Sequence, residues 1–206
     1  SKNMNQYKNI IFDLGGVIIN LDYLETVRRM SKLVGRDLTE NYSQKAQDPI
    51  FDDLEMGKIT PTEFREGLKR VFGFEASTEQ IDDAWNAMLL DIPKERIALL
   101  KKLGKEKRIF LLSNTNAIHK PIYENILLES NGLRNLNDIF EKSYYSHEVG
   151  DRKPYTSIFQ TVVDENGLNK SETLFIDDSF QHIEGARKAG LNVHHLQAPE
   201  TILDLF

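Results

Sequence analysis

At 206 residues and 40% hydrophobic content, the chain is long enough to bury a substantial core, which argues against disorder as its main state. A formal net charge of −6 and a pI near 5.4 argue against nonspecific nucleic-acid binding, which needs clustered Lys and Arg to neutralise phosphates. With no cysteine there is neither a disulfide framework nor a thiolate metal site, a usage compatible with the cytoplasm, and no apolar run approaches the roughly 20 residues that cross a bilayer.

The first residues are polar, show no signal-peptide pattern and lead straight into a short apolar run that ends on Asp13, with Gly15 and Gly16 close behind. This reads as a buried strand terminating in a carboxylate over a glycine turn. Residues 22–90 contain no convincing strand. Leu24, Val27, Met30 and Val34 give a first helical face that stops near Gly35. The polar stretch 37–47 is expected to form a second helix. Thr60-Pro61-Thr62-Glu63 supplies an N-cap, a proline at the first helical position and a reciprocal glutamate, so a helix follows to Phe72. Ser77-Thr78-Glu79-Gln80 repeats the capping box.

From Pro93 onward helix and strand alternate. Residues 94–103 read as a helix stopped by Gly104, 108–112 as a strand, 117–129 as a helix and 142–145 as a strand. Pro154 is expected to start a helix that ends at Asn166. Residues 173–176 form a strand running into Asp177 and Asp178; a helix over 180–189 and a strand over 192–196 follow. Strands separated by helices imply parallel pairing with right-handed crossovers, hence an open three-layer α/β sandwich whose first crossover is interrupted by the helical segment.

Asp13, Ser113 and the Asp177-Asp178 pair each fall at the carboxyl end of a strand, and Lys153 lies in a loop on the same side. Open parallel sheets keep their ligand crevices along that edge. Singly, each residue has an ordinary explanation: Asp before glycine is turn chemistry, Ser-Asn after a strand caps a helix, and a lone lysine is a solvated charge. Together they fit phosphoryl transfer. Carboxylates from two strand ends can hold a hard divalent cation, Ser113 can donate to a phosphate oxygen, Lys153 offsets negative charge, and Asp13 can attack as a nucleophile.

FDLGGV at 12–17, LLSN at 111–114, RKP at 152–154 and FIDDSFQHIEGA at 175–186 resemble the ordered motifs of the haloacid dehalogenase-like (HAD) hydrolase superfamily, most closely its sugar-phosphate phosphatases with an FDLGNV-type first motif. The resemblance implies a three-layer Rossmann-like core, residues 1–19 and 93–206, with a helical cap, residues 20–92. It implies Asp13 as nucleophile, Ser113, Asn114 and Lys153 as phosphate or substrate contacts, and Mg²⁺ held by Asp13, the Gly15 carbonyl, Asp177 and Asp178. The implied reaction is hydrolysis of a small phosphorylated metabolite through an aspartyl-phosphate.

The departure from the phosphatase pattern is Gly15, where those enzymes generally carry a second aspartate as acid and base. Water, a cap residue or the substrate must then take that part; His119 and His147 are candidates, with a structural role the expectation for each. Asp22, Tyr23 and the Glu55-Met56-Gly57-Lys58 turn are candidate lid residues, and Trp85 is expected to pack in the core. Two alternatives stand beside the phosphatase: a 2-haloacid dehalogenase, against which the Asp177-Asp178 pair speaks because attack at a halogenated carbon needs no cation, and a protein-interaction module on the same fold.

Overall fold

A computed structural model describes residues 4–206; the polar residues 1–3, assigned above to the core, lie outside the described residues. The sheet has five parallel strands in the order β3-β2-β1-β4-β5: β1 (Asn9–Phe12), β2 (Arg108–Ser113), β3 (Lys142–Tyr145), β4 (Thr173–Asp177) and β5 (Asn192–His195). The earliest strand is therefore central, which explains its unbroken burial: all of Asn9–Phe12 is inside.

Side chains along the strands alternate between two cores, as a period of two requires. Ile10, Phe12, Ile109, Leu111, Leu174 and Ile176 pack on one face, under α6 (Lys94–Glu106) and α7 (His119–Asn131). Ile11, Phe110, Leu112 and Phe175 pack on the other, under α9 (Thr156–Asn166) and α10 (Phe180–Lys188). Pairing of Phe12 with Leu111 on one side and Ile176 on the other sets the register so that Asp13, Ser113 and Asp177 emerge together at one edge.

Residues between β1 and α6 hold α1 (Tyr23–Val34), α2 (Tyr42–Lys45), α3 (Pro49–Glu55), α4 (Pro61–Phe72) and α5 (Thr78–Asn86). They share a separate hydrophobic cluster that includes Met30, Leu54, Phe64, Leu68, Phe72 and Ile81. Both capping boxes form, at Thr60 with Glu63 and at Ser77 with Gln80.

Several local expectations are corrected. Residues 37–47 yield only the single turn of α2, because Asp37 folds back on the Thr39 N–H (2.9 Å) and Leu38 donates to the Ser31 hydroxyl (3.0 Å), which holds the chain in a turn. The unforeseen α3 carries the signal used successfully at Thr60: Asp48 accepts from the Ile50 N–H, and Pro49 occupies the first position. Gly104 does not stop α6; it lies within the helix, where an added methyl group would crowd the Ile139 carbonyl and the Ile109 side chain. The α7 helix starts at His119 because the Asn116 side chain accepts from the N–H groups of Ile118 and His119. Pro154 precedes α9 by two residues, and the short α8 (Ser146–Val149) follows β3 directly.

Gly185 of α10 lets the Lys153-Pro154 loop seat against the helix, since a Cβ there would run into the Pro154 carbonyl. Gly185→Ala is expected to lower stability by about 1–3 kcal/mol through overpacking, read as a drop in the urea midpoint with an unchanged slope.

Candidate active site

The site is built at the carboxyl edge of β1, β2 and β4. The Asp13 N–H donates to the Ile176 carbonyl at 3.0 Å, which fixes the residue just past β1. The Lys153 ammonium, with its side chain fully buried, donates to Asp13 Oδ1, Asp177 Oδ2 and the Leu112 carbonyl, each at 2.8 Å. All of its protons are thereby used. Asp177 Oδ2 also lies 2.9 Å from His182 Nδ1, and its Oδ1 accepts from the Ser179 N–H at 2.8 Å. Asp13, Asp177 and Asp178 each present an oxygen within 4.8 Å of the others. Gly16 makes room for this: its φ of +77° is left-handed, and a Cβ there would collide with the Asp178 carboxylate.

The electrostatics follow from burial and crowding. Burial pushes the Asp13 carboxyl well above its usual range, the Asp177 charge adds to this, and Lys153 counters it only in part. Burial also works against ionised Asp177, but Lys153 and His182 outweigh it and hold that carboxyl far below its usual value. Lys153 is held cationic by the two carboxylates despite burial. Asp178 opens toward solvent, yet the protein around it and the Asp177 charge push its carboxyl up to about 6. Hard oxygen donors this close, with two resisting ionisation, suit a hard divalent cation that restores their charged forms.

A cavity of about 450 Å³ opens over Asp13, Ser113 and Asp178. Gly15 lines it as well. Asn114 also borders it, but its side chain is committed elsewhere: Oδ1 accepts from the Lys153 N–H and Nδ2 donates to the Lys153 carbonyl, both at 2.9 Å. Its carboxamide therefore holds the lysine loop from the cavity wall.

The far wall comes from the helical segment and α7. Trp85 joins the aromatic cluster with Phe64 and Phe51 and also faces the cavity. His119 stacks on it at 4.9 Å, with Nδ1 2.7 Å from Asn86 Oδ1, and burial holds its ring down to about 3, so it is neutral at ordinary pH. His147 does not line the cavity. Of the candidate lid residues, Tyr23 and Glu55 border the cavity, whereas Asp22 pairs with Arg28. Two residues without an expected role belong here. Arg152 donates from Nε to Glu55 Oε2 at 2.9 Å and lies 3.6 Å from Asp52, tying α3 to the loop of Lys153. His182 was legible only as the residue one turn into the helix after Asp177-Asp178.

A model of the haloacid dehalogenase-like hydrolases matches residues 7–190. The chain belongs to this hydrolase family. It is 33% identical, over 89% of its length, to the D-ribitol-5-phosphate phosphatase of Bacteroides thetaiotaomicron, of which it covers 88%. The HAD family enzyme bt-2542 of the same organism, crystallised with magnesium and inorganic phosphate, superposes with a TM-score of 0.83 at 38% identity, covering 97% of this chain and 99% of that one. L-2-haloacid dehalogenase from Xanthobacter autotrophicus shares the fold alone, with a TM-score of 0.61 at 19% identity over 92% of this chain and 77% of that one.

The Asp178 environment gives a pH signature. Its folded value of about 6 exceeds the ordinary 3.8, so its contribution to stability is full below about 3.8 and is lost as pH rises through about 6. In EDTA, Asp178→Asn is expected to match wild type in Tm near pH 4, to exceed it increasingly up to about pH 6 and to keep a constant advantage above that. Saturating Mg²⁺ is expected to remove or reverse the advantage.

Proposed function

We infer that this enzyme is a Mg²⁺-dependent phosphomonoesterase acting on a small phosphorylated metabolite of the sugar or sugar-alcohol class. The observation that carries the reading is the fully buried Lys153 ammonium bridging Asp13 and Asp177 beside the acidic trio, at the strand edge of a HAD fold. The sugar-alcohol part rests on the ribitol-5-phosphate phosphatase, to which the chain is similar over most of both lengths.

In this mechanism Asp13 attacks phosphorus in line with the departing alcohol, and water then cleaves the aspartyl-phosphate. Ser113 and free loop amides bind the non-bridging oxygens, while Lys153 holds Asp13 aimed and adds positive charge as the phosphoryl group transfers. Asp13, Asp178 and the Gly15 carbonyl would hold Mg²⁺, with Asp177 ligating or orienting its water. The cation supplies charge neutralisation for the phosphoryl oxygens and for the crowded carboxylates. Residues 20–92 act as a cap that excludes water and admits the leaving group over the wall formed by Trp85 and Met88. The dehalogenase reading gains nothing from a likeness that is confined to the fold, and the Asp177-Asp178 pair has no use in it.

The test is phosphate release from a panel of sugar and alditol phosphates, with halide release from 2-chloropropionate in parallel. Release is expected to require Mg²⁺, to stop in EDTA and to fall at least about 10³-fold in Asp13→Asn. Release that survives EDTA or Asp13→Asn would sink this mechanism. Metal-free halide release would install the dehalogenase, and inactivity on every compound would favour an interaction module.

A further inference from the structure

Gly15 stands where the phosphatases that this chain resembles generally carry the acid, so another group at the cavity has to give and take the proton. Asp13 and Asp178 are committed to the nucleophile and the cation. His182 is bonded to Asp177. His119 stays neutral beneath Trp85, and a neutral ring with a value near 3 has no proton to give at ordinary pH. The Tyr23 and Tyr123 hydroxyls are pushed upward by burial, away from the range in which a base operates. One carboxyl lining the cavity is left, Glu55 at the end of α3.

We propose that Glu55 is the general acid and base of the reaction, donating through Oε1 while Arg152 holds Oε2. This rests on the reading of Asp13 as nucleophile. Three observations support it. The Glu55 side chain borders the same cavity as Asp13 and Ser113 and is 30% exposed, so it is open to a ligand yet largely screened from bulk water. Its Oε2 is fixed by Arg152 at 2.9 Å, whereas no hydrogen bond within the described residues occupies Oε1. Burial moves the carboxyl upward and Arg152 only partly counters this, which is the direction an acid working near neutral pH requires. Arg152 and Lys153 face it from the loop before α9, Asp52 from its own helix and Tyr23 from α1.

The steps balance. Protonated Glu55 gives its proton to the ester oxygen as the bond from that oxygen to phosphorus breaks and Asp13 bonds to phosphorus, releasing the alcohol. Ionised Glu55 then takes a proton from water as the water oxygen attacks phosphorus. The Asp13 carboxylate leaves, inorganic phosphate is released, and Glu55 is again protonated. Gly57, two residues on, holds the turn against the core: its φ is +68°, and a Cβ would collide with the His147 carbonyl. The end of α3 that carries Glu55 is thereby seated against the segment of His147.

The experiment compares Glu55→Gln, which keeps the shape and the Arg152 hydrogen bond, on two esters. With an alditol phosphate, whose alkoxide leaving group needs a proton, turnover is expected to fall by about 10²–10⁴-fold. With p-nitrophenyl phosphate, whose leaving group needs none, a burst of one p-nitrophenol per site is expected at the wild-type rate, followed by slow turnover because water lacks its base. The burst also shows that the variant is folded. Glu55→Asp, an acid on a shorter arm, is expected to recover part of the alditol turnover. Loss or slowing of the p-nitrophenol burst, or no advantage of Asp over Gln with the alditol phosphate, would overturn the proposal in favour of a positioning role. A burst in Asp13→Asn would instead overturn the nucleophile assignment, whatever Glu55 does.

Discussion

The arrangement depends on one buried cation. Placing Lys153 in the interior without partners would cost several kcal/mol, and so would either of the carboxylates it meets; only the combination with good geometry is tolerable. Everything near the strand edge serves that combination. The Leu112 carbonyl takes its third proton, Asn114 grips its backbone from both sides, and Gly185 lets the adjoining proline pack flat on α10. Loss of the lysine leaves two buried charges uncompensated, so the residue that aims the nucleophile also decides whether the edge of the sheet holds together.

That dependence explains which parts were legible in the chain. The sheet is written in runs such as Ile10 to Phe12 and Ile109 to Leu112, because a parallel strand covered on both faces has no polar positions to confuse the reading. Strand-end polar residues then stand out as exceptions: Asp13, Ser113 and Asp177 were found that way, and Lys153 by the side of the sheet on which its loop falls. The capping boxes at Thr60 and Ser77 are local and self-contained. Asp48-Pro49 carried the same information at α3, but the polar stretch before it drew the helix too early. Gly104 misled because a glycine that ends a helix and a glycine that lets a helix approach a carbonyl look alike until the neighbour is known.

Partnerships were less legible than positions. Nothing in RKP says that Arg152 will reach back to Glu55, nearly a hundred residues earlier, or that the Asn114 carboxamide will bond the lysine backbone. His182 and Asp177 meet because one turn of helix follows a strand end, a relation visible only with the β4 to α10 connection in place. Trp85 has a double assignment for the same reason: it belongs to the aromatic cluster of the helical segment and also forms the cavity wall, and an apolar residue at helical spacing announces only the first.

The substitution at Gly15 also has a consistent electrostatic logic. A carboxyl at position 15, its Cβ against Leu21, would add an acid to the loop that carries Asp13, in a site where two carboxyls already resist ionisation. Glu55 lines the same cavity from the end of α3, with a guanidinium on one oxygen and burial around it, so its titration is governed by desolvation first and Arg152 second. Separating the groups that must stay charged from the group that must exchange a proton is how two carboxyls in one cavity acquire different tasks. The Arg152 link adds a coupling: the residue next to Lys153 in sequence positions the acid, so one loop holds both the nucleophile and the proton donor.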